Sequence, residues 1–229
     1  MIKGLLFDLD NTLMDRDWTF QEFSRQLVRE LLSEQDQEKQ EQIVAYMIES
    51  DADGYRPKDG FFLELIERLP WRVKPVLSEV QAYYNEHYMK HARVMTHALD
   101  TLKSCREAGY KLGVITNGLS TVQHGKIDRL ELRDYFDAII VSGDHGMKKP
   151  DRQIYELALK RLGTAAEETL IIGDHPVNDI WGASRAGIRG IWLKRKHAWP
   201  ETMTDATPLH AVHELDEVVS ILRNLQTQA

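Results

Sequence analysis

The sequence predicts an α/β protein: an open, doubly wound parallel sheet of five strands, with an all-helical segment inserted after the first strand. Three observations carry this. Short unbroken apolar runs alternate with stretches of helical periodicity, the mark of successive βαβ units. Each run has the length and continuity of a strand buried on both faces. From residue 15 to residue 94 the alternation stops and helical patterns follow one another, over a span too long for a loop.

In order, the expected strands are Ile2–Phe7, Leu112–Ile115, Ala138–Val141, Leu170–Ile172 and a shorter fifth, Gly190–Leu193. Leu99–Ala108, with Gly109 as its C-cap, leads into the second strand, and Thr121–Leu130 into the third. Ile154–Leu162, opened by Pro150 and closed by Gly163, leads into the fourth. Ile180–Ala186, closed by Gly187, leads into the fifth. Within the insertion, apolar residues recur at helical spacing: Phe20, Phe23, Leu27, Leu31; Ile43, Met47; Phe62, Leu65, Ile66, Leu69; and Val76, Val80, Tyr83, His87. A last helix near Leu215–Leu225 is expected to dock on the sheet. The domains expected are therefore a core of residues 1–14 and 95–229 and a helical lid of residues 15–94.

Composition narrows the class of function. With 42% hydrophobic and 28% charged residues, the chain of 229 residues is long enough for a sizeable core and is not globally disordered. A net charge of −7 leaves no basic footprint for nucleic acid, and an anionic substrate must be held by local charge. No apolar stretch approaches the ~20 residues that span a bilayer, and MIKGLLFDLDNT is too short and too acidic for a secretory leader. The single cysteine, Cys105, lies in an amphipathic stretch and reads as a buried small hydrophobe. A cytoplasmic protein, monomeric or homodimeric and without a membrane or nucleic-acid partner, is expected.

The acidic and polar clusters fall where strands end, the place where open parallel sheets bind ligands. Asp8 and Asp10, in FDLDNTL, lie two apart on one face of an extended segment. A like-charged pair there is costly unless a cation neutralises it, and hard carboxylate oxygens suit Mg²⁺. The turn Thr116-Asn117-Gly118 offers a hydroxyl and N–H groups to phosphate oxygens, although Asn-Gly is also an ordinary turn. Lys149, before Pro150, reads either as a cation at a helix N-terminus or as a solvated charge. In Gly173-Asp174-His175-Pro176-Val177-Asn178-Asp179, Asp174 projects from a strand end and Asp179 opens the next helix, where capping is the plain role.

The combination FDLDNTL, VITNG, KKP and GDxxxxD, in this order and spacing, resembles the haloacid dehalogenase superfamily, and the resemblance runs the length of the chain. It implies a Rossmann-like five-stranded core with a cap after the first strand, and a phosphatase acting on a small phosphate ester. By similarity Asp8 is the nucleophile and forms an aspartyl-phosphate, and Asp10 is the general acid/base. Mg²⁺ would be held by Asp8, the backbone carbonyl of Asp10 and Asp174, with Asp179 in support. Thr116 and Lys149 complete the catalytic set, with Asn117 and Gly118 holding substrate. Dehalogenase members lack an acid at the position of Asp10, because a departing halide needs no proton. The wording FDLDNTL is most similar to members acting on nucleoside monophosphates or sugar-acid phosphates. A sugar-phosphate mutase shares the same residues, and a receiver-like signalling module is a more distant alternative.

Several residues fall outside that set. His175 replaces a small residue common in relatives and has no assigned role. His87 and His91, at i, i+4, read as an exposed helical face. The run Lys194-Arg195-Lys196-His197 reads as a solvated loop. Arg16, Arg56 and Lys58 read as solvated charges, with gripping an anionic leaving group the alternative, and Trp18 and Trp71 read as lid core.

Overall fold

The apolar runs pair into one sheet whose strands are all parallel. In chain order the elements are β1 (Gly4–Phe7), α1 (Arg16–Leu31), α2 (Gln37–Asp51), α3 (Lys58–Arg68), α4 (Leu77–His87), α5 (Ala98–Glu107), β2 (Lys111–Thr116), α6 (Ser120–Arg129), β3 (Ala138–Val141), α7 (Ser142–His145), α8 (Arg152–Leu162), β4 (Thr169–Gly173), a π-helical segment Pro176–Trp181 running into α9 (Gly182–Ser184), β5 (Arg189–Leu193), β6 (His210–Val212) and α10 (Asp216–Thr227). This computed structural model describes residues 1–227. The sheet order is β3-β2-β1-β4-β5-β6, so β1 lies at the centre, between β2 and β4.

Leu5, Leu6 and Phe7 of β1, Leu112, Val114 and Ile115 of β2, and Leu170, Ile171 and Ile172 of β4 are wholly buried, as expected of strands covered on both faces. Helix α8 shows how the cover is built. Its stripe Ile154, Tyr155, Ala158 and Leu162 packs on Leu6, Ile115, Ile140 and Ile171. It ends at Gly163, whose φ of +68° a side chain would resist and whose N–H bonds the Leu159 carbonyl. The register pairs Phe7 with Val114 and Ile172, so β1, β2 and β4 end at neighbouring points.

Three expectations need correction. The sheet has six strands, not five. The sixth, His210–Val212, has two exposed side chains of three and therefore no apolar run to read; backbone pairing alone adds it to β5. Pro150 does not open α8, which starts at Arg152 after Asp151 at the cap position; Pro150 lies in a turn closed by the Asp151 N–H on the Lys148 carbonyl at 2.8 Å. The helix before β5 begins earlier than the apolar pattern, at Pro176, because His175 caps it. At the other end of the chain, α10 buries Val218 and Leu222 and packs against α5.

The chain divides into two compact units: Met1–Asp15 with the chain from Val94 onward, and Arg16–Arg93. The first contains the sheet. Its two segments meet where Met14 bridges Val94 and the Met95 N–H bonds the Leu13 carbonyl at 2.8 Å. The second is helical, built around Phe20, Phe23, Leu27, Phe61, Phe62, Leu65 and Val80, with Phe23 edge-on to Tyr84 at 5.2 Å.

Charged residues of the helical unit are more deeply engaged than the sequence suggested. Arg16 is buried and paired with Asp51 and Asp53, Lys58 also pairs with the buried Asp51, and Arg56 pairs with Glu64. All three are ion-paired, and Arg16 is removed from solvent. Trp18 is not core: it is exposed, with the Arg93 guanidinium 3.9 Å from its ring centroid. Trp71 is half-buried and donates to the Leu65 carbonyl at 3.0 Å. His87 and His91 are half-buried rather than exposed, and both meet the Gln26 amide, at 2.9 and 2.6 Å. Among the described residues, no helix is long and apolar enough to cross a membrane.

Candidate active site

Because β1 and β4 are adjacent and in register, the first residue past each strand comes to the same place. Asp8 follows Phe7 and its N–H bonds the Ile172 carbonyl at 2.9 Å. Asp174 follows Gly173, and its carbonyl accepts from Trp192 Nε1 at 3.0 Å. Asp179 is brought back to them by the π-helical segment. Ligand oxygens of Asp8, Asp174 and Asp179 all lie within 4.8 Å of one another, and all three residues are buried. The N-cap is His175 rather than Asp179, but the Asp179 carboxylate shares in the cap: one oxygen accepts from the His175 N–H at 2.9 Å and the other faces the cluster. A Cβ on Gly173 would sit 2.4 Å from the Asp179 carboxylate, so only glycine leaves that carboxylate room.

Lys149 joins the cluster. Its ammonium donates to Asp8 Oδ1 at 2.6 Å and to Asp179 Oδ1 at 2.7 Å, and its side chain is 3% exposed. It is thus a buried cation, not a surface charge. Asn117 sets its position: Nδ2 donates to the Lys149 carbonyl and Oδ1 accepts from the Lys149 N–H, both at 2.8 Å. That pairing accounts for both polar ends of the Asn117 side chain, which the sequence had placed among the substrate-holding groups. The Gly118 N–H, likewise expected to face substrate, donates to Ser142 Oγ at 2.9 Å, tying the turn after β2 to α7.

Two ionisation shifts follow from this packing. Burial pushes the Asp8 carboxyl up to about 7; Lys149 pulls it down, and Asp179 and Asp10 add repulsion. Burial works against the Lys149 charge, but Asp179 and Asp8 more than offset it and hold the ammonium well above its ordinary range.

When all are ionised, these four side chains carry three negative charges and one positive. The surplus, the all-oxygen donor set and the burial fit a hard divalent cation.

Asp10 and Thr116 form a second group with two residues that sequence reasoning missed. Asp10 accepts from Lys126 Nζ at 2.7 Å on both oxygens and from Gln123 Nε2 at 3.0 Å. The same Gln123 amide donates to Thr116 Oγ1 at 2.6 Å. Gln123 and Lys126 are buried on α6 at i, i+3, and in the sequence nothing on that helix marks them off from ordinary polar positions. His175, left without a role, accepts on Nδ1 from the Val177 and Asn178 N–H groups at 3.2 Å and so serves as the helix cap. Its ring also lies 4.5 Å from that of His197, and Arg195 pairs with Glu214 at 3.4 Å, so the run 194–197 is not simply a solvated loop.

Residues 5–193 match the family of haloacid dehalogenase-like hydrolases. The chain belongs to that family. Among its relatives, a glyceraldehyde 3-phosphate phosphatase of Pyrococcus abyssi is 33% identical over 197 residues, 85% of this chain and 82% of that one. The pyrimidine 5′-nucleotidase PynA of Streptococcus pneumoniae is 30% identical over 238 residues, 96% of this chain and 94% of its own. The crystal structure of a HAD phosphatase from Thermococcus onnurineus is similar with a TM-score of 0.67 and 25% identity, over 96% of this chain and 98% of that one. The α/β fold with its open parallel sheet is that of the family.

Proposed function

We propose that this hydrolase of phosphate esters is a Mg²⁺-dependent phosphomonoesterase, cytoplasmic and acting on a small phosphorylated metabolite through an aspartyl-phosphate on Asp8. The observation that carries the reading is the buried cluster Asp8, Asp174 and Asp179 with the Lys149 ammonium in its midst. In this reading the sheet unit is the catalytic core and the helical unit the cap.

Asp8, Asp174 and the Asp10 carbonyl would hold Mg²⁺, with Asp179 behind them; when bound, the ion supplies Lewis-acid charge against a phosphate dianion. A phosphate monoester carries roughly −1.5 to −2 charges at neutral pH and would be repelled by Asp8 alone. Lys149 offsets part of that repulsion from 2.6 Å away. An Asp8 oxygen forms the new bond to phosphorus while the bond to the leaving oxygen breaks, and Asp10, which enters this step protonated on one oxygen while Lys126 keeps its contact with the other, delivers that proton to the leaving oxygen. Water then attacks the same phosphorus, Asp10 takes a proton from it, and Asp8 is released as carboxylate. With Gln123 donating to Thr116 Oγ1, the hydroxyl proton is directed to another acceptor, for which a phosphoryl oxygen serves.

The names of the relatives suggest triose phosphates and pyrimidine nucleoside monophosphates as first candidates, and sugar-acid phosphates complete the panel. Phosphate release from such a panel is expected with Mg²⁺, to stop with a chelator, and to be absent in Asp8→Asn. An inert wild type, or an Asp8→Asn enzyme as active as wild type, overturns the proposal.

A further inference from the structure

Asp10 lies three residues past the end of β1, with one methylene between its backbone and its carboxylate. A helix more than a hundred residues away reaches that carboxylate. Lys126 is 5% exposed and donates to both Asp10 oxygens, and Gln123, 2% exposed, donates to one of them. Both residues lie on α6, one turn apart, and α6 begins four residues after β2 ends at Thr116. The Gln123 amide bridges the Asp10 carboxylate and the Thr116 hydroxyl, at 3.0 and 2.6 Å. A long, flexible lysine held in burial on a partner 116 positions away needs a stronger reason than packing, because an ammonium loses its hydration there.

We propose that Lys126 and Gln123 are positioning residues for Asp10, holding its carboxylate in register with Thr116 so that proton delivery and phosphoryl binding are set by one helix. This rests on reading Asp10 as the proton donor to the leaving group. Lys126 touches neither substrate nor the Asp8 cluster in this assignment; it acts through Asp10. A leaving group that departs without a proton should therefore be indifferent to it, whereas an alkoxide should not.

The test compares Lys126→Met, Lys126→Arg and Gln123→Leu on two probes: the alkyl phosphate that wild type turns over fastest in the panel, and 2,4-dinitrophenyl phosphate. The quantity read is kcat/KM, which spans transfer to Asp8 and departure of the leaving group. For Lys126→Met the alkyl phosphate is expected to lose on the order of 10²-fold, the scale of one general acid, and the dinitrophenyl ester only a few-fold. Lys126→Arg, which keeps a charged donor, should recover most of the loss, whereas Gln123→Leu, which also releases Thr116, should cost activity on both probes and more on the alkyl phosphate. In an Asp10→Asn background Lys126→Met should add no further loss, since both changes remove the same function. For Lys126→Met, equal losses on the two probes, additive losses with Asp10→Asn, or no loss at all would overturn the inference while an active wild type leaves the phosphatase reading standing. A wild type inert on the whole panel overturns that reading and this inference with it. Should Lys126→Met fail to fold, Lys126→Gln, which leaves the Gln123–Thr116 contact in place, carries the same comparison.

Discussion

Burial raises the Asp8 carboxyl to about 7 even with the Lys149 ammonium 2.6 Å away, from an ordinary value of 3.8. The residue is therefore held in the form a nucleophile needs only against a desolvation cost, and that cost has a signature in stability. Between about pH 4 and pH 7 the folded protein keeps a proton on Asp8 that the unfolded chain has released. The contribution of Asp8 to stability then falls as pH rises through this window, and its penalty is complete above it. Asp8→Asn lacks the penalty. In chelator, the variant is expected to gain on wild type as pH rises from 4 to 7, by up to about 4 kcal/mol, and to hold a constant lead above 7. Urea unfolding at a series of pH values measures it. A difference that is flat across the window, or of opposite sign, shows that Asp8 is not desolvated in this way. Saturating Mg²⁺ should shrink the lead, because a cation at the carboxylate favours its charged form.

The segment from Gly173 to Trp181 shows what an element adds to its residues. Glycine leaves room for the Asp179 carboxylate, His175 caps the helix through Nδ1, and the helix carries Asp179 back to Asp8. His175→Ala leaves two backbone N–H groups without their acceptor and is expected to cost about 0.5–2 kcal/mol, with His175→Asn recovering most of it. Thermal melts of the three proteins decide; equal melting temperatures for wild type and the alanine variant would remove the cap from the account. This segment also marks how far sequence could be read. The glycine and both aspartates were visible because strand-end chemistry restricts residue type. The cap was not, because the usual rule looks for a short oxygen side chain and a ring nitrogen does not match it. Strand β6 escaped because its membership is written mainly in backbone pairing, and two of its three side chains are exposed. Lys126 and Gln123 escaped for a third reason. Their partner Asp10 is more than a hundred residues away, and on α6 itself they look like ordinary polar positions.

At the scale of the whole molecule, the two units are stabilised by different chemistry, and this makes them separable in a melting experiment. The helical unit closes on aromatic packing and on Asp51, a buried carboxylate that is wholly enclosed. Burial alone would raise Asp51, but Arg16 and Lys58 overcome that and hold it below its ordinary value. Its contribution to stability is present above about pH 4 and is lost as pH falls through its lowered folded-state value. Asp51→Ala would remove the carboxylate that Arg16 and Lys58 share, leaving Arg16 its pair with Asp53, and is expected to cost about 3 kcal/mol in the helical unit. The sheet unit instead contains the acidic cluster, so a divalent ion should stabilise it alone. An ion that binds only the folded form adds about 2.7 kcal/mol at a hundred times its dissociation constant, and a unit of this size gains roughly 5–10 °C from it. Calorimetry of the full chain in Mg²⁺ and in chelator should therefore move the transition of the sheet unit upward. Asp174→Asn should abolish that movement, since it removes a cluster carboxylate without touching the helical unit, while Asp51→Ala should leave it intact. A Mg²⁺ shift that persists in Asp174→Asn would place the ion elsewhere and detach the cluster from the proposed chemistry.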